Sequence, residues 1–168
     1  MNLQTFHEKL APIQNKLYRF SLRIVGNIHD AEDIVQEVMI RVWNKRDEWP
    51  TWGNFEAMCM TITKHLSIDR TRGKTRRMVE FPEGFDLESD NRNPEELAIT
   101  RDSMDQIKGI MTDLPEKQKM VIQLRDIEGL SYKEIAEILE IPLNQVKINL
   151  HRARLFMKEH LLSSKTYG

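Results

Sequence analysis

The sequence predicts an all-α protein: two small helical domains joined by an acidic, flexible linker, the second carrying a helix-turn-helix. Three observations carry that expectation. Apolar residues recur three and four positions apart along most of the chain, the interval that gathers them on one side of a helix. No stretch sustains the alternation of a half-buried strand. The composition breaks once, at 80–93, where Pro82, Gly84 and the acids Glu80, Glu83, Asp86, Glu88 and Asp90 show little periodicity. Such a stretch reads as a linker. The expected boundaries are 1–78, a linker at 79–93, and 94–168.

Leu3, Phe6, Leu10, Ile13, Leu17, Phe20 and Ile24 keep helical spacing, with Pro12 breaking it into a short helix and a second one over 12–25. Gly26-Asn27 ends that helix, and Asp30 starts the next. Its apolar face is Ala31, Ile34, Val38, Val42 and Trp43, and its outer face shows Asp33, Gln36, Glu37 and Arg41. Trp49-Pro50-Thr51-Trp52-Gly53 is a turn bearing two large aromatics. Asn54 is placed to cap a long helix over 55–77, with Phe55, Met58, Cys59, Ile62 and Leu66 inward. The second half of that helix carries Lys64, His65, Arg70, Arg72, Lys74, Arg76 and Arg77. Aromatics beside cations suit single-stranded nucleic acid, since bases stack on rings while cations follow phosphates. A small core filled by Trp49, Trp52 and Phe55 is the competing reading.

After the linker, Asn93-Pro94-Glu95-Glu96 restarts helix with a cap, a first-turn proline and acids at the positive dipole end. Leu114-Pro115 breaks it, and Met120, Val121, Leu124 and Ile127 lead on to Gly129. Ser131 with Glu134 forms a capping box, and Ile135, Ala136 and Leu139 give a short apolar stripe. Pro142 then stops that helix or opens the next. Val146, Leu150, Ala153, Met157 and Leu161 hold one buried face. The remaining faces present Asn144, Gln145, Lys147, Asn149, His151, Arg152 and Arg154, and no acid occurs from 141 to 158. A short helix, a tight turn and a helix with amides and cations outward is the layout of a major-groove reader.

The formal charge of −1 hides strong segregation. Six Lys/Arg face one acid in 64–77, eight acids face two arginines in 80–102, and five Lys/Arg face one acid in 143–165. Two basic segments flanking an acidic one suggest two contacts with a polyanion. The single cysteine, Cys59, has no internal disulfide partner, so a reducing cytoplasm is the expected compartment and a buried structural thiol its expected state. No signal peptide and no membrane-length apolar run is seen. Scattered glycines and widely separated histidines give no phosphate loop and no zinc spacing. The expectation is a protein that is not an enzyme, with no catalytic residue, cofactor or metal.

The arrangement resembles the extracytoplasmic-function sigma factors of bacterial RNA polymerase. The run Asp30-Ala31-Glu32-Asp33-Ile34-Val35-Gln36-Glu37 is similar to their polymerase-binding helix. Phe55, Ile62, Leu66, Ile68-Asp69-Arg70 and Arg72 resemble their promoter-melting, −10-reading helix. Leu114-Pro115, Glu128-Gly129-Leu130-Ser131-Tyr132, Glu134-Ile135-Ala136 and His151-Arg152-Ala153-Arg154 resemble their −35-reading domain. The resemblance implies that Asp30, Asp33, Gln36, Glu37 and Arg41 meet helices of the clamp on the large polymerase subunit. It implies −10 contacts, with a flipped base near Trp52, from Trp52, Asn54, Phe55, Lys64, His65, Arg70, Arg72, Lys74, Arg76 and Arg77. It implies −35 contacts from Ser131, Asn144, Gln145, Lys147, Ile148, Asn149, His151, Arg152 and Arg154. His65, Gln145 and Ile148-Asn149 depart from the residues common in the family, and these positions bear on promoter sequence. Partners so implied are core polymerase, promoter DNA as duplex and single strand, and an anti-sigma factor, although nothing in the sequence marks one. A free-standing helix-turn-helix regulator with an N-terminal sensing domain is the alternative. A helical adaptor without DNA contact fits the first domain but not the outer face of the last helix.

Overall fold

The computed structural model describes residues 2–74 and 104–167, with side chains over 2–73 and 104–162. The acidic segment, both proposed domain boundaries, the helix start at Asn93, and Arg76 and Arg77 lie outside the described residues. No strand occurs among those described, and the fold is all-α in two helical units.

The first unit holds α1 (Leu3–Leu10), α2 (Gln14–Val25), α3 (Ile28–Asn44), a 3₁₀ turn (Arg46–Thr51) and α4 (Phe55–Lys74). Asn2 caps α1, its Oδ1 accepting from the Thr5 N–H at 2.9 Å. The chain turns at Ala11 and Pro12 before α2, which ends on Gly26 in the left-handed region (φ 67°). α3 begins two residues earlier than Asp30 because Asn27 is the cap, its Oδ1 accepting from the Asp30 N–H at 3.1 Å. Ala31, Ile34, Val38 and Val42 are buried as their spacing requires, joined by Val35, and Trp43 is half-buried.

α4 packs against both α2 and α3. Of its expected inward residues, Cys59 is fully buried while Phe55, Met58, Ile62 and Leu66 are half-buried. A second buried stripe, Ala57, Met60, Lys64 and Ser67, was not anticipated. Ser67 donates to or accepts from Ser21 across 2.9 Å, so α2 and α4 approach through small side chains. Burial pushes the Cys59 thiol up to about 12, with the Glu56 charge adding to the effect.

The second unit holds α5 (residues 104–112), α6 (Glu116–Ile122), α7 (Tyr132–Leu139) and α8 (Leu143–Tyr167). α6 runs into one π turn, Gln123–Ile127, closed by the Glu128 N–H on the Gln123 carbonyl at 3.0 Å. That wider turn breaks the expected spacing. Leu124 stays buried, Ile127 becomes exposed, and Gln123 and Glu128 turn inward. Gly129 (φ 77°) then lets the chain reverse. The buried apolar residues of both units form one cluster, from Phe6 through Phe20 and Met60 to Leu124, Ile135 and Leu150. Fully burying each large apolar side chain there contributes about 1.5–3 kcal/mol.

Candidate polymerase and nucleic-acid interfaces

On α3 the residues Asp33, Gln36 and Arg41 are exposed and Glu37 is half-buried. Arg41 donates to Glu37 one turn earlier at 2.8 Å. Asp30 is not on this solvent face. It sits 8% exposed in the first turn, accepting from Arg70 of α4 at 3.1 Å. It lies four residues before the buried Ile34, so helical spacing puts it on the packed side of α3 facing α4. Sequence reasoning missed Ile40, which is 59% exposed. Positions 33, 36, 37, 40 and 41 follow helical spacing, so Ile40 is an apolar centre in a charged patch, and the spacing alone could have found it.

The aromatic turn forms a ladder. Trp49 is buried, stacks on Phe6 at 5.9 Å and donates its indole N–H to the Val42 carbonyl at 2.9 Å. Phe55 meets Trp49 edge-on at 5.3 Å, and Trp52 stacks on Phe55 at 5.9 Å. Trp49 is core, whereas Trp52 is the half-buried end of the ladder. Asn54 caps α4, accepting from the Ala57 N–H at 3.0 Å and donating to Glu134 of α7 at 3.2 Å.

The cations of α4 are differently placed from one another. His65 and Arg72 are exposed and Arg70 is half-buried against Asp30. Lys64, expected outside, is 5% exposed and donates to the Ile138 carbonyl at the end of α7 at 2.6 Å. It is inside because α7 packs on α4 at this point. Burial lowers the Lys64 pKa, and the Glu140 charge opposes that shift. Lys74 is the last residue of α4 and its side chain lies outside the description.

In the helix-turn-helix, Ser131 accepts from the Glu134 N–H at 3.1 Å, and Glu134 accepts from the Ser131 N–H at 3.3 Å. The Ser131 hydroxyl therefore serves the cap. The turn is made by Glu140 in the left-handed region (φ 57°), followed by Pro142 ahead of α8. Val146, Leu150, Ala153 and Met157 are buried as expected. Asn144, Gln145, Lys147, Ile148, His151 and Arg152 are exposed. Asn149 is not: it is 8% exposed and donates to the Gln145 carbonyl at 2.8 Å, because it falls three residues after Val146 on the inner stripe. Arg154 is exposed but paired, its Nε and terminal nitrogen reaching both Asp126 oxygens at 3.0 and 2.6 Å. That ion pair raises its pKa. The acid comes from the π turn, outside the acid-free stretch of α8 itself.

The two units are also tied together. Arg19 of α2 forks onto Glu128, whose side chain is fully buried, with Nε at 2.9 and 3.0 Å from its oxygens. Arg23 donates to Gln123 at 3.0 Å, and His65 lies 3.6 Å from Glu140. None of these partners had a local sequence signal. Among the described residues, no cluster of three or more His, Cys, Asp and Glu could hold a metal ion, and no helix is long and apolar enough to cross a membrane.

Comparison with known proteins fits this geometry. Residues 11–77 match the family model for sigma-70 region 2, and 104–157 match that for sigma-70 region 4. The chain is 34% identical over 157 residues to the ECF RNA polymerase sigma factor SigW of Bacillus subtilis, covering 88% of this chain and 84% of that protein. It is likewise 34% identical over 149 residues to SigE of Mycolicibacterium smegmatis, covering 88% of this chain but 58% of the relative's length. Among solved structures, the sigma factor RpoE in complex with the anti-sigma factor NepR from Bartonella quintana superposes with a TM-score of 0.76 at 21% identity, over 95% of this chain and 98% of that one. CnrH in complex with the cytosolic domain of CnrY gives 0.70 at 21% identity, over 96% and 90%. Two matched regions in order, and a relative 34% identical that is covered over 84% of its length, leave one assignment: the chain belongs to the ECF family of RNA polymerase sigma factors.

Proposed function

We propose that this chain binds core RNA polymerase through the outer face of α3 and carries it to promoters read at two places. The N-terminal half of α8 reads the −35 element, and α4 with Trp52 engages the −10 element and its opened strand. The observation that carries the reading is the outer face of α8. Asn144, Gln145, Lys147, Ile148, His151 and Arg152 are all exposed on a stretch without acids. Amides and an apolar tip near the helix start suit base edges, and cations further along suit phosphates.

On α3 the exposed Ile40, rimmed by Asp33, Gln36, Glu37 and Arg41, has the apolar centre and polar rim of a protein-binding patch. Family membership supports helices of the large-subunit clamp as its partner. It also supports an anti-sigma factor as a further partner, as RpoE of Bartonella quintana is solved in complex with one. Sigma factors are generally not enzymes, and this chain acts by binding, in the cytoplasm, with no cofactor.

Capture from a bacterial lysate tests the reading. A sigma factor retains core polymerase, and a free-standing regulator retains only DNA. Asp33→Lys combined with Glu37→Lys should weaken polymerase binding by about 2 kcal/mol or more, roughly thirtyfold, at unchanged helix content. Unchanged affinity in a competition assay would return that face to ordinary solvation.

A further inference from the structure

We infer that α1 is part of the single-strand site, with Lys9 as a phosphate contact for the strand whose base stacks on Trp52. The inference rests on the assignment of Trp52 and α4 to the opened −10 strand. α1 lies outside the stretch matched to sigma-70 region 2, which begins at residue 11. It is nonetheless fixed to the aromatic ladder. Phe6 and Leu10 are buried, and Phe6 stacks on Trp49 at 5.9 Å and meets Trp43 edge-on at 5.2 Å. Lys9 is exposed at the edge of this helix, next to Leu10. Its ammonium stands 5.1 Å from the centroid of the Phe55 ring, the same ring on which Trp52 stacks at 5.9 Å. An exposed cation and the half-buried end of the ladder thus share one ring.

Neighbouring cations are already occupied, and Lys9 is not. Lys16, seven residues on, is paired with Glu56 in the first turn of α4 at 2.9 Å. At the far end of the ladder Arg46 lies 4.5 Å over Trp43 and also donates to the Trp43 carbonyl at 3.1 Å. The Lys9 ammonium has no carboxylate and no hydrogen-bond acceptor among the described residues. The basic residues of α4 begin only at Lys64, nine positions and more than two helical turns beyond Phe55. Lys9 therefore supplies positive charge at the aromatic end of the site, where a strand held by stacking also needs its phosphates met. A cation on an exposed ring is held weakly. An ammonium on a phosphate makes a charge-assisted hydrogen bond, about twice as strong as a neutral one. The flexible four-carbon stem lets the charge turn from ring to phosphate without moving α1.

The experiment uses the full chain reconstituted with core RNA polymerase. The probe is a short fluorescein-labelled single strand of mixed sequence, read by anisotropy across a salt series, with a duplex of the same length as control. Lys9→Gln should lower the salt slope for the single strand by about 0.7, the value for one phosphate. Extrapolated from 1 M, that slope amounts to about fivefold weaker binding near 0.1 M salt. Lys9→Arg should keep the wild-type slope, and all variants should bind the duplex with one slope. Trp52→Ala reports the site itself: it should weaken single-strand binding at an unchanged slope, since a ring releases no counterion. A Lys9 that only covers Phe55 would shift stability in urea and leave the slope of Lys9→Gln at the wild-type value. That result, with Trp52→Ala binding weakly, overturns the phosphate contact and leaves the sigma-factor reading standing. A Trp52→Ala chain that binds the strand as the wild type does overturns the assignment of Trp52, and the Lys9 contact with it.

Discussion

α8 shows Lys147, His151 and Arg152 to solvent, whereas α4 gives Lys64 to a backbone carbonyl and holds Arg70 against Asp30. Both stretches are basic in sequence, and by charge count 64–77, with six Lys/Arg against one acid, is stronger than 143–165, with five against one. The difference teaches that a run of cations measures potential and not availability. α8 keeps its cations because its apolar stripe, Val146 to Met157, takes up one side only. α4 is buried against α2, α3 and α7, and three packing neighbours leave little free surface.

The comparison can be broken most sharply at Trp52. Base stacking contributes about 1–3 kcal/mol, so Trp52→Ala should reduce open-complex formation roughly tenfold while sparing polymerase binding and duplex −35 recognition. Permanganate footprinting reads the bubble. An unchanged bubble would make Trp52 the end of the core ladder and nothing more. Phe55→Ala is a poorer test, because Phe55 contacts both tryptophans and its loss opens a cavity.

A smaller effect separates the two arginines of α8. Arg152 is exposed, and Arg152→Ala should weaken binding to all sequences and lower the salt slope by about one. Arg154 is committed to Asp126. Arg154→Ala should leave the slope unchanged and lower stability in urea by no more than about 1 kcal/mol, the usual worth of a surface pair. Equal slopes for both variants would place Arg154 on phosphate as well.

The smallest effect is a pH dependence of the docking of α7 on α4. With α7 docked, burial sets the Lys64 pKa below its ordinary 10.5. Between those values the docked form binds fewer protons than the undocked one. Docking therefore strengthens as pH rises through that window and loses that contribution as pH falls through it. Scattering across a pH series that approaches 10.5 should show the compact fraction growing in the wild type but not in Lys64→Met. Identical curves would mean that the Lys64 ammonium keeps its ordinary value.

Most of the helical frame was legible because it depends on neighbours three and four residues away. The break at Pro12, the stop at Gly26, the box of Ser131 and Glu134, and the inner face of α8 all follow from local rules. Asn149 was legible too, since it stands on the Val146–Leu150 side, but its amide was read as an outward group. Asp30 was misplaced by reading it as the helix start when Asn27 already supplied the cap. Lys64 and Arg154 were beyond local reasoning. Their partners lie 74 and 28 residues away, and no periodicity reports which distant carbonyl or carboxylate a chain will bring back. The same holds for Arg19 and Glu128, separated by 109 positions.

The π turn at Gln123–Ile127 amounts to one surplus residue in an otherwise ordinary helical run. An α-helix advances about 100° per residue, so deleting one position there would swing everything after it by that angle. Glu128 would then face away from Arg19, and Asp126 away from Arg154, with no change in the chemistry of any side chain. Relatives can thus keep the arginine and the acid and still lack both pairs if they are shorter by one between Ile122 and Gly129. For judging kinship in this feature, the length of that segment is more telling than the letters within it.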